Sequence, residues 1–179
     1  MADSDQRLRH LDIREGTPDD FQTLARIYRE AFPEEDLLPL VRALLQDGSG
    51  VLSLVATVLS TVVGHVIFTS CRVTGQADKV ALLGPLAVAP DWQRRGIGTA
   101  LTHQGLDRLE RASVSRVFVL GDPGYYSRAG FAPETHVTPP YPLPEEWRTG
   151  WQSLRLSETE LEGALEVPAP WRRAALWLP

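Results

Sequence analysis

Six consecutive residues, Gln93-Arg94-Arg95-Gly96-Ile97-Gly98, set two arginines and two glycines just ahead of an amphipathic stretch. Glycines at 96 and 98 let the backbone turn sharply and leave no Cβ in the way of a ligand. A helix opening at Ile97 or Gly98 would present unpaired first amides, and its dipole would add partial positive charge. Arg94 and Arg95 contribute full charges, so the pattern suits an anion such as a diphosphate. The same residues also read as a plain turn with solvated arginines, because Gly-x-Gly before a helix is a weak motif alone. Two sharper phosphate motifs fail on spacing. In a dinucleotide fold the first glycine follows the strand directly and a third glycine stands where this chain has Leu101. A Walker loop ends in Gly-Lys-Ser/Thr, whereas Gly98 is followed by Thr99-Ala100.

Other chemistry finds little support. His10, His65, His103 and His136 show no i,i+4 pairing and no cysteine cluster, so no metal site is expected. His65 sits in a β-rich stretch, where a buried, hydrogen-bonded histidine is the expected role. No Gly-x-Ser-x-Gly elbow occurs. Cys71 is the single cysteine and reads as a small core residue, with no call for an oxidising compartment. A net charge of −5 argues against nucleic acid as the main partner. No signal-peptide pattern opens the chain and no apolar run is long enough to cross a bilayer, which predicts a cytoplasmic protein without a membrane partner.

The elements that must position the loop follow from periodicity. Leu11 to Arg14 reads as a strand. Thr17 then caps a helix, with Pro18 in its first position and Phe21, Leu24, Ile27, Tyr28 and Ala31 on one face. A second helix is predicted from Glu34 to Gln46, with a kink or a late start at Pro39. Val51–Thr57 and Val62–Val73 read as a hairpin, and Ala81–Val88 as a third strand apolar enough to be covered on both faces. The helix after the glycine loop runs to Ala112 and turns Leu101, Gly105, Leu109 and Ala112 inward. Arg116–Leu120 is a buried strand, Tyr125–Ala129 a short helix, Pro133–Pro144 an extended proline-rich stretch, and Trp151–Leu156 a last strand. At 179 residues the chain fits one α/β domain with helices on both sheet faces.

Leu86 through Leu101, with its Ala89-Pro90-Asp91 turn and Gln93-Arg94-Arg95-Gly96-Ile97-Gly98, resembles the central motif of the GNAT N-acetyltransferases, Gln/Arg-x-x-Gly-x-Gly/Ala. Tyr126 to Phe131, within Tyr125-Tyr126-Ser127-Arg128-Ala129-Gly130-Phe131, is similar to that family's Tyr-x-x-x-Gly-Phe element. Leu83-Gly84-Pro85-Leu86 and Leu120 to Tyr126 resemble its YhbS-like branch. The likeness spans roughly residues 11 to 156, which suggests an acyltransferase domain over 1–156 and a C-terminal extension over 157–179 packed on it.

The resemblance implies a mixed, mostly antiparallel sheet splayed around acetyl-CoA as co-substrate. It implies that Leu86, Ala87 and Val88 pair with the pantetheine arm and that Gln93, Arg94, Arg95, Gly96, Ile97, Gly98 and Thr99 hold the pyrophosphate. It further implies direct transfer to an amine of a small molecule or peptide, in a monomer or homodimer. Tyr126 stands where the family often keeps a general acid, although it also reads as a packing residue beside Tyr125 and Phe131. The base is open: Ala81–Val88 carries no acid, leaving Glu34, Glu35, Asp36, Asp122 or a water relay. The missing strand glutamate also leaves a non-catalytic acyl-CoA sensor as an alternative.

Overall fold

The computed structural model describes residues 6–48 and 50–178. They fall into two compact units, one comprising the described residues up to Ile67 with Gly84–Gly105, the other Phe68–Leu83 with the described residues from Leu106.

The first unit contains β1 (Leu11–Glu15), α1 (Phe21–Ala31), α2 (Leu38–Asp47), β2 (Val51–Val58), the first half of β3 (Thr61–Val73), the end of β4 (Val80–Val88) and most of α3 (Ile97–Arg111). Its strands run in the order β1-β2-β3-β4. β1 is antiparallel to β2, from Leu11 opposite Val58 to Glu15 opposite Leu54. The β2–β3 turn is made by Leu59 and Ser60, both at positive φ (50° and 67°), the pairing that a tight two-residue hairpin demands. Between β1 and α1, Pro18–Asp20 forms a 3-10 turn, and the Asp20 carboxylate accepts from the Thr17 amide at 2.7 Å. Leu24, Ala25, Ile27 and Tyr28 form the buried face of α1. Burying a side chain such as Ile27 stabilises the fold by roughly 1.5–3 kcal/mol. α2 begins at Leu38, so Glu34–Leu37 lies outside it. Pro39 falls in its first turn, where the missing N–H costs nothing.

The second unit holds the end of β3, the start of β4, β5 (Arg116–Leu120), α4 (Pro123–Tyr126), β6 (Ala132–Pro133), β7 (Val137–Thr138), β8 (Trp151–Arg155) and β9 (Gly163–Glu166). Its main strands run β3-β4-β5-β8-β6, with β9 beside β3 and β7. β5 is parallel to β4, whereas β8 is antiparallel to both β5 and β6. β6, β7 and β9 were not expected from periodicity; they are only two to four residues long, and β6 and β7 fall at the start of the proline-rich stretch. Trp151, Trp171 and Trp177 are buried together, with ring centroids 5.9 Å apart for Trp151–Trp177 and 5.8 Å for Trp171–Trp177. Each indole N–H is used: Trp151 donates to the Val137 carbonyl, Trp171 to Thr69 Oγ1 and Trp177 to the Trp171 carbonyl.

Two burial expectations need correction. Ala112 is exposed and Leu109 only half-buried, because α3 ends at Arg111 and Leu106 takes an inner place. β4 is fully covered only from Val80 to Leu83, while Leu86 and Val88 are half-exposed around a buried Ala87.

Candidate functional site

The glycine loop follows β4 through a 3-10 turn at Pro90–Trp92. Arg94 and Gly96 both adopt positive φ, 61° and 83°. Left-handed residues set among right-handed ones curl successive N–H groups towards one point, which is how backbone nests bind anions. Among the described residues no acceptor is found for the amides of Arg94, Arg95, Gly96, Ile97, Gly98 and Thr99, while Ala100 already donates to the Gly96 carbonyl. A Cβ placed on Gly96 would meet no atom within 4 Å, so its outer side is open. The two arginines are exposed, and the Arg95 guanidinium lies 5.3 Å from the Trp92 ring centroid.

Gln93 behaves differently from its neighbours. Its side-chain amide donates to the Val88 carbonyl at 3.0 Å and so ties the loop to the last residue of β4. Beneath the loop, Gly64 on β3 admits α3. A Cβ there would come within 3.1 Å of Leu101 Cδ1, 3.2 Å of Ile97 Cγ2 and 3.3 Å of the Ala87 carbonyl. Gly64 was not singled out from the sequence, since a glycine inside a strand announces a close approach only once its neighbour is known.

β4 carries an interruption at Gly84-Pro85, a cis peptide with Gly84 at φ 134°. Pro85 has no N–H to give a ladder. The register of β4 with β5 covers Val80–Leu82 only. Among the described residues, Leu86, Ala87 and Val88 therefore lie beyond the β5 pairing on that edge, and two of their side chains are half-exposed.

Tyr126, in the second unit, lies in α4 and is half-buried. Its ring meets Tyr125 edge-on at 5.0 Å and Phe131 at 5.7 Å. The hydroxyl has no hydrogen-bond partner among the described residues. Burial, followed by the neighbouring Tyr125, raises its pKa, so the phenol stays protonated through the neutral range. Gly121 makes the place for this ring: a Cβ on it would fall 2.5 Å from Tyr126 Cε2 and 3.0 Å from Cδ2.

Of the candidate bases, Asp122 is committed locally, since its carboxylate accepts from the Gly124 amide at 2.9 Å and caps α4. Glu34, Glu35 and Asp36 are exposed between α1 and α2. His65 is fully buried, with Nδ1 2.8 Å from the Tyr28 hydroxyl and Nε2 2.8 Å from Ser53 Oγ. Cys71 is buried, and burial pushes its thiol up to about 12, a poor setting for a nucleophile. Among the described residues no group of three or more His, Cys, Asp or Glu could hold a metal ion, and no helix is long and apolar enough to cross a membrane.

Asp20 is the strongly shifted carboxylate of the first unit. Hydrogen bonding from Arg14, at 2.8 and 2.9 Å, holds its pKa down to about 2 against an ordinary 3.8. A depressed carboxylate stabilises the fold above the unfolded pKa and loses that contribution as pH falls through the folded one. Asp20→Asn is therefore expected to cost about 2 kcal/mol at pH 7 and nearly nothing at pH 2. Urea unfolding at the two pH values checks it, and an equal cost at both would refute the ion-pair account.

Comparison with known proteins places this geometry. The model of the Acetyltransferase (GNAT) family matches residues 21–131. The chain belongs to the GNAT acetyltransferase family. YjhQ of Escherichia coli K12, an uncharacterized N-acetyltransferase, is 35% identical over 166 residues, covering 88% of this chain and 92% of the relative. YhbS of the same organism, likewise an uncharacterized N-acetyltransferase, is 32% identical over 84% of this chain and 90% of its own. The crystal structure of E. coli YhbS in complex with CoA superposes with a TM-score of 0.83 at 29% identity, over 92% of this chain and 93% of that one. A GNAT acetyltransferase from Brucella melitensis, solved with acetyl-CoA, gives 0.74 at 28% identity, over 90% and 98%. The α/β fold with its mixed, mostly antiparallel sheet is thus the GNAT fold, and the protein is an acyltransferase by family.

Proposed function

We propose that the protein transfers an acetyl group from acetyl-CoA to an amine of a small molecule or peptide. The observation that carries this reading is the run of six amides, Arg94 to Thr99, without acceptors at the start of α3. Six donors and two adjacent arginines suit the pyrophosphate of coenzyme A. The edge of β4 at Leu86, Ala87 and Val88, beyond the β5 pairing, suits the amides of the pantetheine arm. An amide N–H on that edge would polarise the thioester carbonyl. Crystals of related proteins with CoA and acetyl-CoA support the choice of ligand.

In the transfer, the acceptor nitrogen forms a C–N bond to the acetyl carbon and the C–S bond breaks. The nitrogen gives up one proton and the leaving sulfur takes one. Tyr126 is the group assigned to the sulfur, as a protonated donor. The pyrophosphate cradle lies in the first unit and Tyr126 in the second, so each assignment has its own test.

Titration calorimetry with acetyl-CoA, CoA and pantetheine tests the cradle. CoA is expected to bind at least about 100-fold more tightly than pantetheine, since charge-assisted hydrogen bonds contribute roughly 1.5–3 kcal/mol each. Gly96→Val forces a β-branched residue to φ 83° and puts bulk into the open cradle. It should weaken CoA about tenfold or more with little effect on pantetheine. Equal binding of the two ligands would overturn the site. Thiol release over a panel of amines then tests the activity, and tight CoA binding without amine-dependent release would mark a binding module instead.

A further inference from the structure

The first unit contains a cavity of about 300 Å³ that the acyl-CoA reading leaves unused. Pro18 lines it from the 3-10 turn, Phe21 and Leu24 from the start of α1, Arg42 and Leu45 from α2, and Ser53 from β2. Its place within the unit is fixed by backbone pairing. The Gly16 amide donates to the Ser53 carbonyl at the start of β2, whereas β4 leaves towards the glycine loop where Ala89 donates to Val63, just past the β2–β3 turn. Ser53 and the turn are separated by about 17 Å of strand.

Proton counting gives the cavity floor a direction. Tyr28, His65 and Ser53 form a chain of two 2.8 Å hydrogen bonds, and Tyr28 and His65 are 1% and 0% exposed. Burial keeps the imidazole neutral, with its pKa lowered to about 3, so it carries a single N–H. A proton on Nδ1 would point at Tyr28 and leave the phenolic O–H buried with no acceptor among the described residues. That arrangement is costly. With the proton on Nε2, Tyr28 donates to Nδ1 and Nε2 donates to Ser53, and both buried groups are satisfied. The one proton left over is the Ser53 hydroxyl's. It has no acceptor among the described residues, and Ser53 lines the cavity.

Charge adds a second preference. Arg42 is the one charged side chain in the lining, stacked 4.6 Å from the Phe21 centroid, and it has no carboxylate partner among the described residues. Asp20 is close by in sequence but does not line the cavity, and Arg14 holds both of its oxygens. The remaining walls are mainly apolar.

We propose that this cavity is a second small-molecule site, separate from the acyl-CoA loop, for a short aliphatic monocarboxylate. Its carboxylate accepts from the Ser53 hydroxyl and pairs with Arg42, and its chain lies on Phe21, Leu24 and Leu45.

The test is a titration of the full chain with straight-chain carboxylates from butyrate to octanoate, followed by calorimetry and amide NMR. Saturable binding is expected, tightening roughly fourfold per methylene until the cavity is full, with shifts at Gly16 and Ser53. Primary amides of equal length should bind about tenfold more weakly. Arg42→Met, at an exposed position, should erase that preference without unfolding the protein, and Leu45→Trp should abolish binding while CoA still binds. Absence of saturable binding would overturn the proposal. So would affinities unchanged in both variants, or shifts confined to Gly96–Thr99.

Discussion

Tyr126→Phe is expected to lower turnover by roughly 10²–10⁴-fold, the usual worth of a positioned proton donor, while acyl-CoA affinity stays unchanged. The substitution is clean because the ring, not the hydroxyl, does the packing: Tyr125, Phe131 and Gly121 all meet the aromatic face or edge. The hydroxyl has no partner among the described residues, so its removal strands no buried group. Burial raises the phenol's pKa, so in the proposed role of proton donor its own ionisation should produce no descending limb in the pH–rate profile up to pH 9. A second variant reaches the same group from behind. In Gly121→Ala the new methyl would fall 2.5 Å from Cε2 and must displace the ring. Turnover should drop although the hydroxyl is retained. Steady-state kinetics on both variants decides the matter: unchanged turnover in Tyr126→Phe leaves the residue as packing alone.

The second large effect is thermodynamic and belongs to His65. Its pKa of about 3 in the fold, against an ordinary 6.5, arises from burial. Between those values the unfolded chain binds the extra proton, so stability is complete above pH 6.5 and declines as pH falls towards 3. The full loss is on the order of 4 kcal/mol, a large share of a typical domain's stability. Denaturant unfolding between pH 7 and 4 should show the decline, with its steepest part above the window in which Asp20 titrates. His65→Gln should be less stable at pH 7, because it disturbs the bonds to Tyr28 and Ser53, yet nearly flat from pH 7 to 4. The same slope in both proteins would remove His65 as the acid-sensitive group.

The sequence carried some of this plainly and some not at all. The α1 face, the hairpin and the helix opening at Ile97 follow from apolar spacing and β-branched runs, and they stand where expected. The late start of α2 was one of two outcomes signalled by Pro39. The nest was only half readable: Gly96 announces freedom at φ, but the left-handed Arg94 depends on how the loop closes onto Val88. A proline inside an apolar strand argues against a regular central strand, so Gly84-Pro85 was the available sign that β4 would lose its partner. The apolar run on either side of it masks that sign, since such a run promises cover on both faces. Gly121 was equally visible as a letter and equally mute, since its meaning lies in a ring five residues ahead. β6, β7 and β9 are too short for any period to register. The Tyr28–His65–Ser53 chain joins residues 37 and 12 positions apart, and no local pattern predicts such a meeting.

The tryptophan cluster also has an optical consequence. Coupled indoles at such short centroid separations should give a strong signed couplet in circular dichroism, and their shielded rings a blue-shifted emission. Trp151, Trp171 and Trp177 all lie in the second unit, whereas the acid-labile His65 lies in the first. Trp92 lies in the first unit, so it is the couplet of the buried cluster, rather than total emission, that watches the second unit during an acid titration while the proton enters the first. A spectral change that tracks His65 would mean the two units melt as one cooperative body, and a delayed change would time their parting.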